Sequence, residues 1–112
     1  MARPPVEQRR SHRVLIGAPV EFTSRDSWEK VAAVARDISL GGMFIETAFP
    51  AAVGVAVLVG VTFPGHRKPM LLSGTVRWAN ASGMGVQFGL LGARETHAIT
   101  EIERGSSASG SR

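Results

Sequence analysis

The sequence of 112 residues contains no cysteine and no tyrosine, and its only aromatic residues are two tryptophans and five phenylalanines. Without cysteine, disulfides, thiolate catalysis and thiolate metal sites are excluded. The longest stretch without a charged residue, 47–66, is interrupted by prolines and glycines, so it does not predict a membrane helix. The first residues lack the apolar run of a secretory signal. The length predicts one domain, and we expect a bacterial cytoplasmic protein.

The sequence also lacks the usual signatures of an enzyme. Ser39, His12 and Asp37 could be proposed as a nucleophile, a base and an orienting group, but no Gly-x-Ser-x-Gly turn accompanies them. The other histidines, His66 and His97, are too far from His12 and from each other to suggest a metal site. We therefore predict no catalytic residues, no metal and no cofactor.

Positive charge is concentrated at the N-terminus. The formal net charge is +4, and eleven of the thirteen basic residues are arginines, whose planar side chains suit phosphates and guanine edges. The first thirteen residues contain Arg3, Arg9, Arg10 and Arg13 against one Glu7. Because this segment has little apolar material to bury, we expect residues 1–13 to form a flexible arm that binds anions.

Thirteen glycines separate short apolar runs, which is typical of a β-protein with many turns. We predict six strands near 14–23, 28–38, 42–47, 53–63, 70–79 and 84–88. The first strand should bend at Gly17 and Pro19, and residues 37–42 should form a turn. From Val53 to Val61, valines recur at every odd position, and this period of two predicts a strand. Trp78, like Val86 and Phe88, is predicted to lie in the core.

The C-terminal part predicts one helix. Leu91, Ala98, Ile99 and Ile102 recur at helical spacing, and Gly105 is placed to end the helix as its C-cap. The tail, 105–112, is predicted to be disordered, which leaves 14–104 as the folded domain. A six-stranded antiparallel sheet removes its exposed edges by closing into a barrel, and the helix can cover one mouth. So small a barrel fills its own interior, so function should lie on its outer surface and loops.

Four short motifs stand in order along the chain, and together they resemble the PilZ domain family, bacterial receptors for cyclic di-GMP. The resemblance covers about residues 7–104. The motifs are Arg9-x-x-x-Arg13, Asp37-x-Ser39-x-x-Gly42, Gly74-x-Val76-x-Trp78 and Gly83-x-Gly85-Val86-x-Phe88. The first two motifs are the ones that the resemblance connects with ligand binding.

The residue types in these two motifs suit cyclic di-GMP, which carries two phosphates and two guanines. An ionised Asp37 can accept hydrogen bonds from guanine N1–H and N2–H, and the Ser39 hydroxyl can join either side. Gly42, and also Gly41, would permit a positive φ or close approach of the ligand to the backbone. On the residues alone, Asp37 and Ser39 could instead satisfy backbone amides in a turn.

The resemblance implies ligand contacts for Arg9, Arg13, Asp37, Ser39 and Gly42. Arginines can bind phosphate oxygens or guanine O6 and N7, and they can also stack on a purine. Arg10 and Arg36 are further candidates for phosphate or stacking contacts. The alternative for the basic segment is a solvated arm with no ligand.

The sequence thus predicts a non-enzymatic receptor whose N-terminal arm orders on binding cyclic di-GMP. The resemblance implies that the signal passes to a separate partner protein in a motility, secretion or polysaccharide apparatus. One alternative is a PilZ-like adaptor that binds protein but no effective cyclic di-GMP. Another is a small barrel that binds single-stranded nucleic acid, which the small number of aromatic residues disfavours. We expect no membrane insertion.

Overall fold

The structure is a computed structural model that describes residues 13–110. These residues form six strands and one helix, in the order β1 (Val14–Ser24), β2 (Ser27–Ile38), β3 (Gly42–Glu46), β4 (Ala56–Val61), β5 (Met70–Asn80), β6 (Gly83–Phe88) and α1 (Ala93–Gly110). The strands close into an antiparallel barrel in the order β1-β2-β3-β6-β5-β4, which confirms the predicted fold. Within the described residues, no helix is long and apolar enough to span a bilayer.

Every second side chain along the central part of a strand points inward, and these side chains fill the barrel interior. The alternating valines at the centre of the predicted strand, Val57, Val59 and Val61, are buried, and so is Phe63. The predicted strand started too early, because Val53 is 61% exposed and lies in the loop before β4, which begins at Ala56. Gly54 has a φ of 91°, which is outside the extended conformations of a strand.

The predicted bend in the first strand is confirmed at Gly17, whereas Pro19 continues the regular pairing with β2, opposite Val34. Gly17 has a φ of 56°, a left-handed conformation that favours glycine. The β1–β2 register shifts between Leu15 and Ala18, so the strand changes direction there. Before the bend, Leu15 pairs with Asp37 of β2, which brings the start of the barrel beside this predicted site residue.

A β-bulge in β5 explains why the predicted burial of Trp78 was wrong. Leu72, Gly74 and Val76 face the interior as expected, but Trp78 is 45% exposed. The β5–β6 register shifts between Val76 and Trp78, leaving Arg77 as the extra residue. One extra residue reverses the side-chain alternation, so Trp78 points outward.

Helix α1 packs Ala98 and Ile99 into the core, and Ile102 is partly buried beside them. Leu91, predicted on the same helix, precedes its first residue, Ala93, but is also partly buried against the core. It does not end at Gly105, as predicted, but runs to Gly110. The reason is that Gly105 lacks the positive φ of a C-cap glycine, and glycine within a helix costs only about 1 kcal/mol relative to alanine. The tail predicted to be disordered is therefore helical over 105–110. Residues 111–112 and most of the predicted arm, 1–12, lie outside the described residues.

Candidate functional site

The turn between β2 and β3 holds three of the predicted site residues. The backbone N–H of Ser39 donates a hydrogen bond to the Gly42 carbonyl at 2.8 Å, which closes the turn. The Ser39 hydroxyl oxygen accepts a hydrogen bond from the Gly41 N–H at 3.2 Å, and Ser39 is only 2% exposed. In this structure the hydroxyl therefore holds the turn in shape instead of facing solvent.

Gly42 has a packing role that differs from the expected one. Its φ is not positive, and a β-carbon at this position would be 2.1 Å from the Val86 carbonyl oxygen of β6. Glycine is thus needed because the backbones of β3 and β6 approach closely. Gly41 also lacks a positive φ, and its carbonyl accepts a hydrogen bond from the Phe88 N–H at 2.9 Å. Both glycines therefore anchor the turn to β6.

Two predicted site residues form an ion pair: Arg13, directly before β1, and Asp37, near the end of β2. The contact joins guanidinium Nη1 to carboxylate Oδ1. Their side chains are 53% and 21% exposed, so the pair remains accessible to solvent. The register of β1 and β2 creates this contact, because Leu15 lies directly opposite Asp37. The structure thus joins residues from two motifs that are 24 positions apart.

A second β-bulge directs Asp37 outward. The β2–β3 register pairs Ala35 with Ile45 but Asp37 with Phe44, which leaves Arg36 as the extra residue in β2. Ala35 is buried, and simple alternation would place Asp37 on the same inner face. The bulge at Arg36 reverses that alternation, as the bulge at Arg77 does for Trp78.

The two bulges bring Asp37 and Trp78 into one outward row across four strands. In the registers, Asp37 pairs with Phe44, Phe44 pairs with Gly85, and Gly85 pairs with Trp78. The Phe44 and Trp78 rings are stacked, with centroids 5.3 Å apart and an interplanar angle of 13°. We call these two rings and the glycine between them the aromatic ledge.

Gly85 makes the aromatic ledge possible. A β-carbon at Gly85 would be 2.2 Å from Nε1 of Trp78, so the indole lies directly over the glycine backbone. The sequence analysis did not predict the aromatic ledge, because it placed Trp78 in the core. The signal in the sequence is Gly85 itself. A glycine within a strand often marks a place where another group, here an aromatic ring on the neighbouring strand, lies close to the backbone.

Comparison with known proteins agrees with this architecture. The PilZ domain family model matches residues 7–104. The chain belongs to the PilZ domain family. No curated protein matches the chain significantly.

Two solved structures share the fold of this PilZ domain. The PilZ domain of CeSA from a cellulose synthesizing bacterium is 20% identical, with a TM-score of 0.68, and the match covers 87% of this chain and 99% of that one. The Bacillus subtilis inhibitor of motility MotI/DgrA is 16% identical, with a TM-score of 0.74. That match covers 90% of this chain and 52% of MotI/DgrA, so the chain spans about half the length of that protein.

The structure does not bring every predicted residue of this PilZ domain to one place. Arg36 forms an exposed ion pair with Glu46, at 3.3 Å between Nη1 and Oε2, and has no contact with Arg13 or Asp37 among the hydrogen bonds and ion pairs of the described residues. Arg9 and Arg10 lie outside the described residues. The described part of the predicted site is therefore Arg13, Asp37 and the turn.

Helix α1 also reaches the turn, which the sequence did not predict. A carboxylate oxygen of Glu103 accepts a hydrogen bond from the Leu40 N–H at 3.2 Å. The two residues are 63 positions apart, so no local pattern signals the contact. Glu103 places a negative charge beside the turn that carries the predicted site.

Proposed function

We propose that this PilZ domain is a receptor for cyclic di-GMP rather than an enzyme. The observation that carries the proposal is the accessible Arg13–Asp37 ion pair, placed in the same surface row as the aromatic ledge. A guanidinium, a carboxylate and an aromatic surface are together complementary to a phosphate, a guanine edge and a purine face.

The two members of the ion pair suit different parts of the ligand. Arg13 can bind a phosphate or guanine O6 and N7, while Asp37 can accept hydrogen bonds from guanine N1–H and N2–H. An exposed ion pair contributes no more than about 1 kcal/mol, so a ligand that satisfies both groups can replace it at little cost. We propose that the pair holds both side chains near their binding positions in the free protein.

The aromatic ledge adds a stacking surface to this arrangement. Trp78 is 45% exposed, and its ring lies parallel to that of Phe44 in the row that begins at Asp37. A base stacked on an aromatic side chain gains about 1–3 kcal/mol. We propose that one guanine of the ligand contacts Trp78 while Asp37 binds a guanine edge.

The N-terminal arm supplies the remaining contacts in this proposal. Arg9 and Arg10 would join Arg13 on the phosphates, and ordering each arm residue costs roughly 1–2 kcal/mol that these contacts must offset. A partner that distinguishes the ordered arm from the free arm would then respond to the ligand. CeSA comes from a cellulose synthesizing bacterium and MotI/DgrA is an inhibitor of motility. We therefore propose a cytoplasmic partner in a polysaccharide, motility or secretion apparatus.

Calorimetric titration of the purified protein tests the proposal. We expect binding of cyclic di-GMP, with cyclic di-AMP weaker by about tenfold to a hundredfold because adenine lacks the N1–H and N2 donors that Asp37 accepts. GTP and a random oligonucleotide serve as controls. A folded protein that binds no cyclic di-GMP would contradict the proposal and favour the alternative of a protein adaptor. Comparable binding of the oligonucleotide would favour a nucleic-acid-binding barrel.

A further inference from the structure

The barrel carries a groove on its outer surface, away from the site described above. The groove has a volume of about 590 Å³ and crosses strands β2, β1, β4 and β5. Its apolar lining includes Pro19, Ala32, Leu58, Gly60, Pro69 and Leu71. Leu58 and Leu71 are 44% and 62% exposed, so part of each apolar side chain remains in contact with solvent.

This groove lies opposite the candidate ligand site. In the closed barrel, β1 and β4 are neighbours, and they lie across the barrel from the neighbouring pair β3 and β6. The row that contains Asp37 and the aromatic ledge follows β2, β3, β6 and β5. A molecule in the groove would therefore leave the middle of that row accessible. Because the barrel is closed, the groove must bind through side chains and not through a free strand edge.

Two side chains of opposite charge line the groove, and neither forms an ion pair among the described residues. Glu21 and Lys30 both line it, and both are exposed. Glu21 is directly opposite Ala32, and Lys30 lies two positions away on β2, where the β1–β2 register shifts. No ion pair within residues 13–110 includes either side chain. A surface with both signs of charge around an apolar centre is complementary to itself.

Leu58 lies between two depressions of this surface. It is paired with Thr23 in the β1–β4 register, and both residues line the groove described above. Thr23 and Leu58 also border a second groove of about 460 Å³. A leucine from a facing copy therefore has an open depression on either side of the Thr23–Leu58 pair.

We propose that this surface binds a second copy of the same chain to form a two-fold dimer. The two-fold axis runs along the interface past Leu58, so the two Leu58 side chains meet. Glu21 of each copy then faces Lys30 of the other, which gives two equivalent ion pairs. Each copy keeps its candidate ligand site on the outer side of the dimer.

The first test measures mass in solution. By analytical ultracentrifugation over about 5–500 μM, we expect the mass to rise from monomer to dimer, since mass action favours the dimer at high concentration. Glu21→Lys should weaken dimerisation by at least about tenfold because like charges then face each other. Glu21→Lys combined with Lys30→Glu should restore it, since the swapped charges are again complementary. A monomer at every concentration, or no rescue by the double change, would overturn the proposal.

The second test reports on the axis directly. The chain has no cysteine, so Leu58→Cys introduces a single thiol, and a short bis-maleimide should join two copies efficiently. Val53→Cys is the matched control, because Val53 is also exposed, at 61%, and does not line the groove. Both positions are on the surface, so circular dichroism should show two folded variants. Equal crosslinking of the two variants would contradict the placement of the axis.

Discussion

The indole ring of Trp78 lies across Gly85, so closely that a β-carbon there would be 2.2 Å from Nε1. The same ring stacks on Phe44, whose strand β3 is hydrogen-bonded to the other side of β6. Three strands therefore meet through one glycine and two rings.

Gly85→Ala should destabilise the protein by about 1–3 kcal/mol, because the added methyl group must displace the ring or the strand. Chemical denaturation measures the stability, and a change in the native tryptophan emission reports the displaced ring. Gly105→Ala is the control. A β-carbon there meets open space within a helix, so its stability should stay the same or rise by up to about 1 kcal/mol. Equal stability of the two variants would contradict the close packing.

Arg13→Ala and Arg9→Ala should each weaken binding of cyclic di-GMP by about ten- to a hundredfold, since a charge-assisted hydrogen bond contributes roughly 1.5–3 kcal/mol. The melting temperature of the free protein should change little, because the exposed Arg13–Asp37 pair contributes no more than about 1 kcal/mol. Calorimetry and thermal melting measure the two effects. Arg36→Ala serves as a comparison, because Arg36 pairs with Glu46 instead. Unchanged affinity in both Arg9 and Arg13 variants would leave the basic arm without a ligand role.

Trp78→Ala should lower the affinity for cyclic di-GMP by about 1–3 kcal/mol, the usual contribution of base stacking on an aromatic side chain. Trp78→Phe should retain part of that affinity, since it keeps an aromatic face. Isothermal titration gives both values, and denaturation checks that the exposed side chain can be removed without unfolding. If the alanine variant binds as tightly as the natural protein, the aromatic ledge is not a stacking surface.

Glu103→Gln should raise the affinity for cyclic di-GMP by about two- to fivefold. The carboxylate accepts a hydrogen bond from Leu40 N–H beside the predicted site, and its charge opposes an anionic ligand by up to about 1 kcal/mol. Glu101→Gln is a matched control on the same helix, where the carboxylate pairs with His97 and Arg104. Both variants lose one negative charge, so equal affinities would show that only net charge matters.

Cyclic di-GMP should protect the arm from trypsin at Arg9, Arg10 and Arg13, because their contacts with the ligand order this segment. Mass spectrometry of the early fragments identifies each cut. Cutting after Arg67, in the exposed turn between β4 and β5, should not depend on the ligand and provides an internal reference. If saturating ligand leaves all three arm sites equally sensitive, binding does not order the arm.

Local chemistry in the sequence was sufficient to predict most of the fold. Alternating apolar residues predicted the strands, since a half-buried strand repeats every two residues, and Gly17 marked the bend of β1. The turn at Ser39 was predicted because its residues favour turns on their own. The PilZ motifs also indicated which residues belong to the candidate site, before the pairing of the strands was known.

Only the tertiary structure decided which side chains face the candidate site. The bulges at Arg36 and Arg77 depend on how β2 and β5 pair with their neighbours, so an alternation within one strand cannot reveal them. Gly42 and Gly85 are likewise required by other strands and rings, not by their own backbone conformation. The contact of Glu103 with the turn depends on how the helix docks on the barrel, which no local pattern encodes. Periodicity thus determined the strands, and packing between them determined the site.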